Sequence, residues 1–410
     1  MSTTYSVVSG DTFASVARKQ YGDDGQAGQV RSANPGAVEP LQPGTTLVIP
    51  DLPGAPRDAP QNAASNTPDE VSVSIDGERF RFWESVTITR AFDSPDSIEL
   101  SGPYEPDRPE FREAFRPLSY KPIEVAVGGA PLFTGTAVGN LPGLGIDRRT
   151  VSLSGYATPG VMADCPPAAS TYPLEFNGQN LQQIAEALAR PFGVAVVFEA
   201  APGPTFDRVA CESTEKALEF LTELAKQRNL VIGSTPRGAL LFRDSAGSGA
   251  PVATLSQGES PAGEVTPSFK PQEYYSTITG IEPVIVGLRG GQYTVRNPRL
   301  TGVTRPYTFK VDDANGGDLK TAVEAKAARM FANVVAYTVP LDTWRDPSGA
   351  LWTPGTFVSL IAPGVFIFNP YTFLIRRVTL TRTGDSTTAE LGLVLPGVFN
   401  GRIPGSLPWD

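Results

Sequence analysis

Over the first 50 positions, the pattern of apolar and polar residues predicts a small unit of two strands and two helices. A strand-like run at 5–8 leads into a turn at 9–12. A short helix follows, because apolar residues recur there at helical spacing, at Phe13, Val16 and Ala17. Either Asp11 or Thr12 can cap this helix, since a side-chain oxygen accepts hydrogen bonds from the N–H groups of the first turn.

Turn residues also separate the predicted elements in the second half of this unit. A second helix-length segment ends at Asn34-Pro35-Gly36. A turn at 41–44 then precedes a closing strand at 46–50. The predicted order is strand, helix, helix, strand, with the two turns side by side.

A proline-rich stretch and a strand-rich region come next. Residues 51–70 contain four prolines among small polar residues, which predicts an extended linker. From 71 to 165 short apolar runs alternate with polar residues, and Asp76-Gly77 and Gly128-Gly129 are typical hairpin turns. This pattern predicts a first β-barrel-like domain of closely spaced antiparallel strands.

The pattern changes to a small α/β domain over residues 166–260. An amphipathic helix begins after Asn177-Gly178 and is stopped by Pro191. An apolar strand is predicted at 194–198, and a second helix starts near Ser213. A hairpin over 230–242 closes this domain.

Residues 261–400 return to strands and predict a second β-barrel-like domain. One helix is expected after Asp318 as its cap, with strands at 284–286 and 341–345 among others. A long hairpin closes the domain, and a Pro/Gly-rich tail at 401–410 is expected to lie along a neighbour or the surface. The predicted fold class is α+β, mainly β.

The first 50 residues carry the motifs of a known module. These motifs are Tyr5-x-Val7-x-x-Gly10-Asp11-Thr12, Asn34, and Leu41-x-Pro43-Gly44-x-x-Leu47-x-Ile49-Pro50. They resemble a LysM module, a family that binds N-acetylglucosamine polymers such as peptidoglycan in a groove between its two turns. The resemblance implies a carbohydrate-binding groove formed by Gly10, Asp11, Thr12, Phe13, Asn34 and Pro35. Alternatively, these residues have a purely structural role. They then cap helices and form turns, in a module that docks on another protein.

Composition excludes several classes of protein. The net charge of −9 argues against a grip on nucleic acid, which needs clustered Lys and Arg. We expect no membrane span, because the sequence has no apolar run near 20 residues, and we expect no signal peptide. Histidine is absent, which excludes Ser-His-Asp and Cys-His hydrolases and His-ligated zinc sites. Cys165 and Cys211 are expected to be isolated thiols.

The carboxylates give no convincing catalytic pair. Glu175 and Glu186 flank an ordinary helix start, where exposed helix charges are expected. Glu259-Ser260 resembles the pair of a transglycosylase, but its Gly/Pro-rich surroundings leave no helix to bury it. Gly287, Gly290 and Gly291 indicate turns, because a phosphate loop needs a following Lys and helix. We therefore predict no enzyme activity, no cofactor and no metal site.

A second resemblance covers roughly residues 71–400. It rests on three motifs in order: Phe176-Asn177-Gly178-x-x-Leu181-x-x-Ile184-Ala185, Lys216-Ala217-Leu218-x-x-Leu221-x-x-Leu224-Ala225, and Trp352-x-Pro354-Gly355-x-x-Val358 with the closing hairpin. The chain looks like the baseplate hub of contractile phage tails of the Mu type, related to late control protein D. That resemblance implies a homotrimer whose two barrels per chain form a pseudo-sixfold ring between the tail tube and the central spike.

The resemblance therefore implies a structural protein of the virion baseplate, assembled in the host cytoplasm. Its partners would be a tail tube or distal tail protein, the central spike and the baseplate wedge proteins, with peptidoglycan as a further contact. Two alternatives stay open: a cell-wall-binding protein or peptidoglycan hydrolase carrying a LysM module, and the hub of a non-phage contractile particle. Arg376 and Arg382 on the closing hairpin are expected to be solvent-facing strand charges, and the alternative hypothesis is an inter-subunit ion pair with the acidic stripe of Glu215, Glu219 and Glu223.

Overall fold

The computed structural model describes residues 3–7, 11–21, 27–49, 69–105, 107–144, 149–207, 209–281, 291–311, 319–401 and 404–410. The chain forms two compact units, Met1–Glu70 and Val71–Asp410. Most of the predicted linker, the predicted strand at 284–286 and the predicted cap Asp318 lie outside the described residues.

The first unit contains two strands and two helices in the order strand, helix, helix, strand. Their bounds are β1 Thr3–Ser6, α1 Phe13–Tyr21, α2 Ala27–Ala33 and β2 Thr46–Ile49. β1 and β2 are antiparallel, with Tyr5 opposite Leu47. The apolar face of α1 packs against α2 and β2 in a core that includes Val7, Phe13, Val16, Ala17, Val30, Leu41, Leu47 and Ile49.

The second unit begins with antiparallel strands and one short helix. Their bounds are β3 Val71–Ile75, β4 Glu78–Phe80, β5 Ser85–Ala91, β6 Ser97–Pro103, α3 Pro109–Ala114, β7 Pro122–Val127, β8 Ala130–Leu144 and β9 Arg149–Ala157. The Asp76-Gly77 hairpin is confirmed, with Ile75 paired to Glu78 and positive φ at both turn residues. Such backbone angles favour Asp and Gly, which explains why this turn could be read from the sequence.

A small α/β region follows, with its own core. It contains α4 Val161–Asp164, α5 Leu181–Ala189, β10 Val196–Phe198, α6 Ala217–Gln227, β11 Leu230–Ser234 and β12 Leu240–Asp244. Asn180 caps α5, and its side chain and that of Gln183 each accept the other's backbone N–H, at 3.0 and 2.9 Å. β12 lies between parallel β10 and antiparallel β11.

The remaining elements return to strands around one long helix. Their bounds are β13 Pro251–Ser256, β14 Thr266–Phe269, β15 Thr277–Ile281, β16 Gln292–Arg296, β17 Pro306–Lys310, α7 Leu319–Val334, β18 Val335–Leu341, β19 Phe357–Ala362, β20 Ile367–Thr383 and β21 Ser386–Val394. The strand predicted at 341–345 is instead β18, which ends at Leu341. β18 follows α7 without a turn, and Pro340 sits inside it with its side chain exposed.

One sheet of 13 strands joins the two ends of this unit. β5 pairs antiparallel with β20, with Thr89 opposite Thr379, so strands from 71–165 and from 261–400 are hydrogen-bonded neighbours. The same continuous core lies beneath both sets of strands. The division of this region into two barrel-like domains stays a prediction.

Candidate functional site

The turn before α1 holds two of the residues predicted to bind carbohydrate. Asp11 is buried, and its carboxylate accepts hydrogen bonds from the Tyr5 hydroxyl at 2.7 Å and the Ser15 hydroxyl at 3.2 Å. Thr12 is the helix cap: the Ser15 N–H donates to Thr12 Oγ1 at 3.1 Å, and the Thr12 N–H donates to Ser15 Oγ at 2.9 Å. Asp11 therefore stabilises the turn, while the Thr12 side chain faces solvent.

Asn34 and Phe13 are both part of the interior of the first unit. The Asn34 amide donates to Val30 O at 2.8 Å and Val48 O at 2.6 Å, and its oxygen accepts from the Val48 N–H at 2.6 Å. The bond to Val30 O closes the end of α2, and the two bonds with Val48 fix the loop after α2 to β2. Phe13 is buried in the core. Pro35 is exposed, and Gly10 lies outside the described residues.

Glu39 connects the two loops of the predicted groove. Its carboxylate accepts a hydrogen bond from the Phe13 N–H at 2.6 Å and forms an ion pair with Arg31 at 3.4 Å. The Arg31 guanidinium also lies over the Phe13 ring, 5.1 Å from its centre. The start of α1 and the loop after α2 are therefore held together. Sequence reasoning missed Glu39, because a single acid in a loop gives no periodic signal.

A buried charged cluster links the α/β region to the large sheet. Asp96 is 3 % exposed, and its carboxylate accepts the Ala91 N–H at 3.0 Å and lies 3.6 Å from the Arg90 guanidinium. Its own N–H donates to the hydroxyl of Ser234 on β11, at 2.9 Å. Burial raises the pKa of Asp96 above its ordinary value, and the nearby Arg90 and Arg243 oppose that rise.

Arg243 on β12 makes the second half of this junction. Its guanidinium donates to Ala91 O at 3.0 Å and Pro354 O at 3.4 Å, and it lies over the Phe92 ring at 5.0 Å. Burial lowers the pKa of Arg243. One side chain therefore connects the α/β region to two other segments of the unit. We refer to Arg90, Asp96, Ser234 and Arg243 as the junction cluster.

The arginines that suggested an inter-subunit ion pair have partners within the chain. Arg376 forms two hydrogen bonds with the carboxylate of Asp93, at 3.2 and 2.9 Å, and a third with the Asn333 amide at 3.3 Å. Arg382 lies 3.7 Å from Asp385. Arg376 therefore stabilises the fold across the sheet, which removes the reason for assigning it to an interface.

The C-terminal tail packs on its own chain. Arg299 pairs with Asp410 at 2.7 Å and donates to the carbonyl of Gly405. The Tyr371 hydroxyl donates to Ser406 O at 2.7 Å. Of the two placements that the sequence left open for the tail, these contacts correspond to the protein's own surface.

The carboxylates considered for catalysis are exposed and serve ordinary roles. Glu186 accepts a hydrogen bond from Gln182 one turn earlier on α5, and Glu175 is exposed. Ser260 donates to Asp342 at 3.1 Å, while its neighbour Glu259 lies in an exposed turn. Within the described ranges, His, Cys, Asp and Glu side chains form no group of three or more that could hold a metal.

Among the helices in the described parts of the chain, none combines the length and apolar character needed to cross a bilayer.

Comparison with known proteins shows that this chain is similar to phage baseplate hub proteins. Residues 159–244, which include α5, α6 and β10 to β12, match the second domain of baseplate hub proteins like gp44. The chain is 24% identical to the baseplate hub protein gp44 of Escherichia phage Mu over 339 residues, which cover 77% of this chain and 84% of gp44.

Two solved structures share the fold. The 43 kDa tail protein of prophage MuSo2 from Shewanella oneidensis superposes with a TM-score of 0.68 and 23% identity, covering 80% of this chain and 99% of that one. A tail protein from Neisseria meningitidis MC58 gives a TM-score of 0.66 and 23% identity, covering 81% and 98%. Together these comparisons support a structural protein of a phage tail baseplate that is similar to the gp44 hub.

Proposed function

We propose that this protein is the baseplate hub of a contractile phage tail and acts by assembly, without catalysis. The observation that carries the proposal is the match of residues 159–244 to the second domain of gp44-like hubs, within a similarity that spans most of the chain. In this role three copies form a ring that joins the tail tube, or a distal tail protein, to the central spike. The ring also organises the wedge proteins around it.

The large sheet suits a ring that must keep its shape under load. Its 13 strands include residues from both ends of the second unit, and the junction cluster connects the α/β region to that sheet. Backbone ladders and buried ion pairs resist small displacements, because each has a narrow range of favourable geometry. A ring built of such subunits can transmit a contraction without local unfolding.

The first unit is proposed to act as a LysM module at the baseplate, either touching peptidoglycan during penetration or docking on a neighbouring tail protein. Asp11, Phe13 and Asn34 are committed to the interior, so Thr12 and Pro35 are the described residues of the predicted groove that can meet a ligand. A Pro35→Arg variant, which leaves the Thr12 helix cap in place, separates the two roles. Loss of sedimentation with purified peptidoglycan supports glycan contact, whereas unchanged sedimentation contradicts it.

The hub proposal is tested by the native mass of the purified chain, with negative-stain images of the same sample. The expected result is a particle of three times 43.5 kDa that forms a ring with a central hole. A monomer at every concentration, both alone and after addition of its tail tube protein, would contradict the proposal.

A further inference from the structure

Two Asn-Gly pairs in the described parts of the chain have the same preceding residue and different surroundings. They occur in Phe176-Asn177-Gly178 and in Phe399-Asn400-Gly401. A third pair, Asn315-Gly316, lies outside the described residues. Asparagine before glycine is prone to deamidation, because a glycine has no Cβ to hinder attack by its backbone nitrogen. Since both described pairs follow a phenylalanine, the structure around each pair determines which one reacts.

The first pair is held at both of its reacting groups. The Gly178 N–H donates to Phe206 O at 2.7 Å. The side-chain oxygen of Asn177 accepts a hydrogen bond from the Val209 N–H at 3.2 Å. Deamidation requires the glycine nitrogen to reach the side-chain carbonyl carbon, so both hydrogen bonds protect Asn177.

The second pair has no equivalent protection. Among the described residues, neither the Gly401 N–H nor the Asn400 side chain has a hydrogen-bond partner, and Asn400 Oδ1 is buried. A buried amide oxygen without a partner is unfavourable. The backbone N–H of Asn400 donates to Gly397 O at 3.1 Å, so the turn fixes the main chain of Asn400 but not its side chain.

The turn that carries Asn400 packs against α7. A Cβ atom added to Gly401 would lie 3.7 Å from the backbone nitrogen of Ala325 and 3.9 Å from Asn229 Oδ1. Asn229 Oδ1 is itself buried without a hydrogen-bond partner. The turn at 397–401 therefore lies beside the Ala325 turn of α7, in polar surroundings that leave amide oxygens unpaired.

Arg329 lies on the same face of α7, one helical turn after Ala325. Residues four positions apart are neighbours on a helix surface, and a helical side chain extends back over the preceding turn. The Arg329 side chain therefore extends towards Ala325, where the turn at 397–401 packs. Within the described chain Arg329 has no hydrogen bond or ion pair, and its Nη2 atom is buried.

The guanidinium of Arg329 has no carboxylate of its own. Burial lowers the pKa of Arg329 to about 10, and the charges of Glu223 and Asp93 oppose that fall. Each of these two acids is already paired, Glu223 with Lys226 and Asp93 with Arg376. A buried cation is unfavourable unless an opposite charge meets it, so a further carboxylate near Arg329 would stabilise the fold.

We propose that Asn400 deamidates in the folded protein and that the resulting carboxylate pairs with Arg329. The Gly401 nitrogen loses its proton and attacks the side-chain carbonyl carbon of Asn400. The amide nitrogen takes up a proton and leaves as ammonia, which closes a five-membered imide. Water then opens the imide at either carbonyl and gives aspartate or isoaspartate, both of which carry a carboxylate. The reaction consumes only water and needs no oxidant or cofactor.

The modification changes how the C-terminal tail is held. The turn at 397–401 precedes the tail at 404–410, whose end is bound through the ion pair of Arg299 with Asp410. An ion pair with Arg329 fixes the start of the tail to α7 as well. Because ammonia is lost, the change is irreversible and accumulates with the age of the protein. It takes place within a single chain and does not depend on the proposed ring.

The rates at the two Asn-Gly pairs test the modification. The full chain is aged in mildly alkaline buffer, digested at acidic pH, where deamidation is slow, and analysed by mass spectrometry. In the native protein, Asn400 is expected to convert about tenfold faster than Asn177, the factor that two protecting hydrogen bonds provide. In urea the two rates should become equal, because both sites are Phe-Asn-Gly. Equal rates in the native protein, or conversion of Asn400 in urea only, overturn the proposal. The Asn400→Gln variant is the control that gives no product at this position.

A double-mutant cycle tests the pairing with Arg329. Asn400→Asp supplies the carboxylate directly, and circular dichroism establishes that each variant folds. Asn400→Asp is expected to raise the melting temperature when Arg329 is present and to lower it in an Arg329→Met background. The same shift in both backgrounds overturns the pairing.

Aged wild-type protein gives a second measurement that needs no variant. Hydrogen exchange over residues 404–410 should be slower in the aged chain than in fresh chain. Unchanged or faster exchange in protein that carries the modification contradicts the pairing. All of these measurements use the single chain, so their failure is distinct from a failure to form the proposed ring.

Discussion

Replacement of Arg243 by methionine tests the junction cluster, because it removes the guanidinium and keeps an unbranched apolar side chain beside Phe92. The 3.0 Å bond to Ala91 O contributes about 2 kcal/mol as a hydrogen bond from a charged group, and the 3.4 Å bond to Pro354 O contributes less than about 1 kcal/mol. Contact with the Phe92 ring adds about 1 kcal/mol. We therefore expect Arg243→Met to lose about 3 kcal/mol of unfolding free energy.

Urea unfolding followed by tryptophan fluorescence measures this loss. All four tryptophans lie outside residues 159–244, and Trp352 is two residues from Pro354, so fluorescence reports on the sheet side of the junction. Hydrogen exchange over residues 159–244 reports on the other side and should accelerate in the variant. Arg237→Met is the matched control, since Arg237 is exposed in the turn between β11 and β12. A loss below about 1 kcal/mol, or one equal to that of the control, would refute the reasoning.

Three further predictions concern single side chains. Asn34→Ala removes three buried hydrogen bonds and should destabilise the first unit by about 2 to 4 kcal/mol, seen as faster hydrogen exchange at 27–49 in the full chain; unchanged exchange would contradict the assignment. The pKa of Asp96 is raised in the folded state, so its contribution to stability is fully present below about pH 4 and is lost as pH rises through the folded-state pKa. The unfolding free energy of the wild type relative to Asp96→Asn should therefore fall as pH rises from about 4. A difference between the two proteins that does not change with pH would contradict the raised pKa. Burial raises the pKa of Cys211 to about 12, so iodoacetamide at pH 8 should label half-buried Cys165 first, as mass spectrometry can check; equal labelling would argue against a buried Cys211.

Local features of this fold could be predicted from the sequence because their causes are local. The Asp76-Gly77 hairpin and the helix that follows Asn180 depend on residues within a few positions of each other. β18 was missed for a local reason as well, since no turn residue separates it from α7. The pairing of β5 with β20 joins residues almost 300 positions apart, and periodicity within each strand does not identify the partner strand.

The functional residues show the same limit. Asp11 and Asn34 occupy turns, where a polar side chain that binds a ligand and one that fixes the backbone give the same sequence signal. Their hydrogen bonds to Tyr5, Val30 and Val48 became visible only in three dimensions. Asp96 and Arg243 lie nearly 150 positions apart, so neither could be recognised as part of a junction.

The central claim is that this chain forms the hub of a tail baseplate, and the most direct test is its position on assembled tail particles. An affinity tag on the chain, labelled with gold and imaged by electron microscopy, gives that position. The account predicts label at one end of the tail only, where the tube meets the spike. Label along the length of the tube, or intact tails that contain no tagged chain, would contradict it.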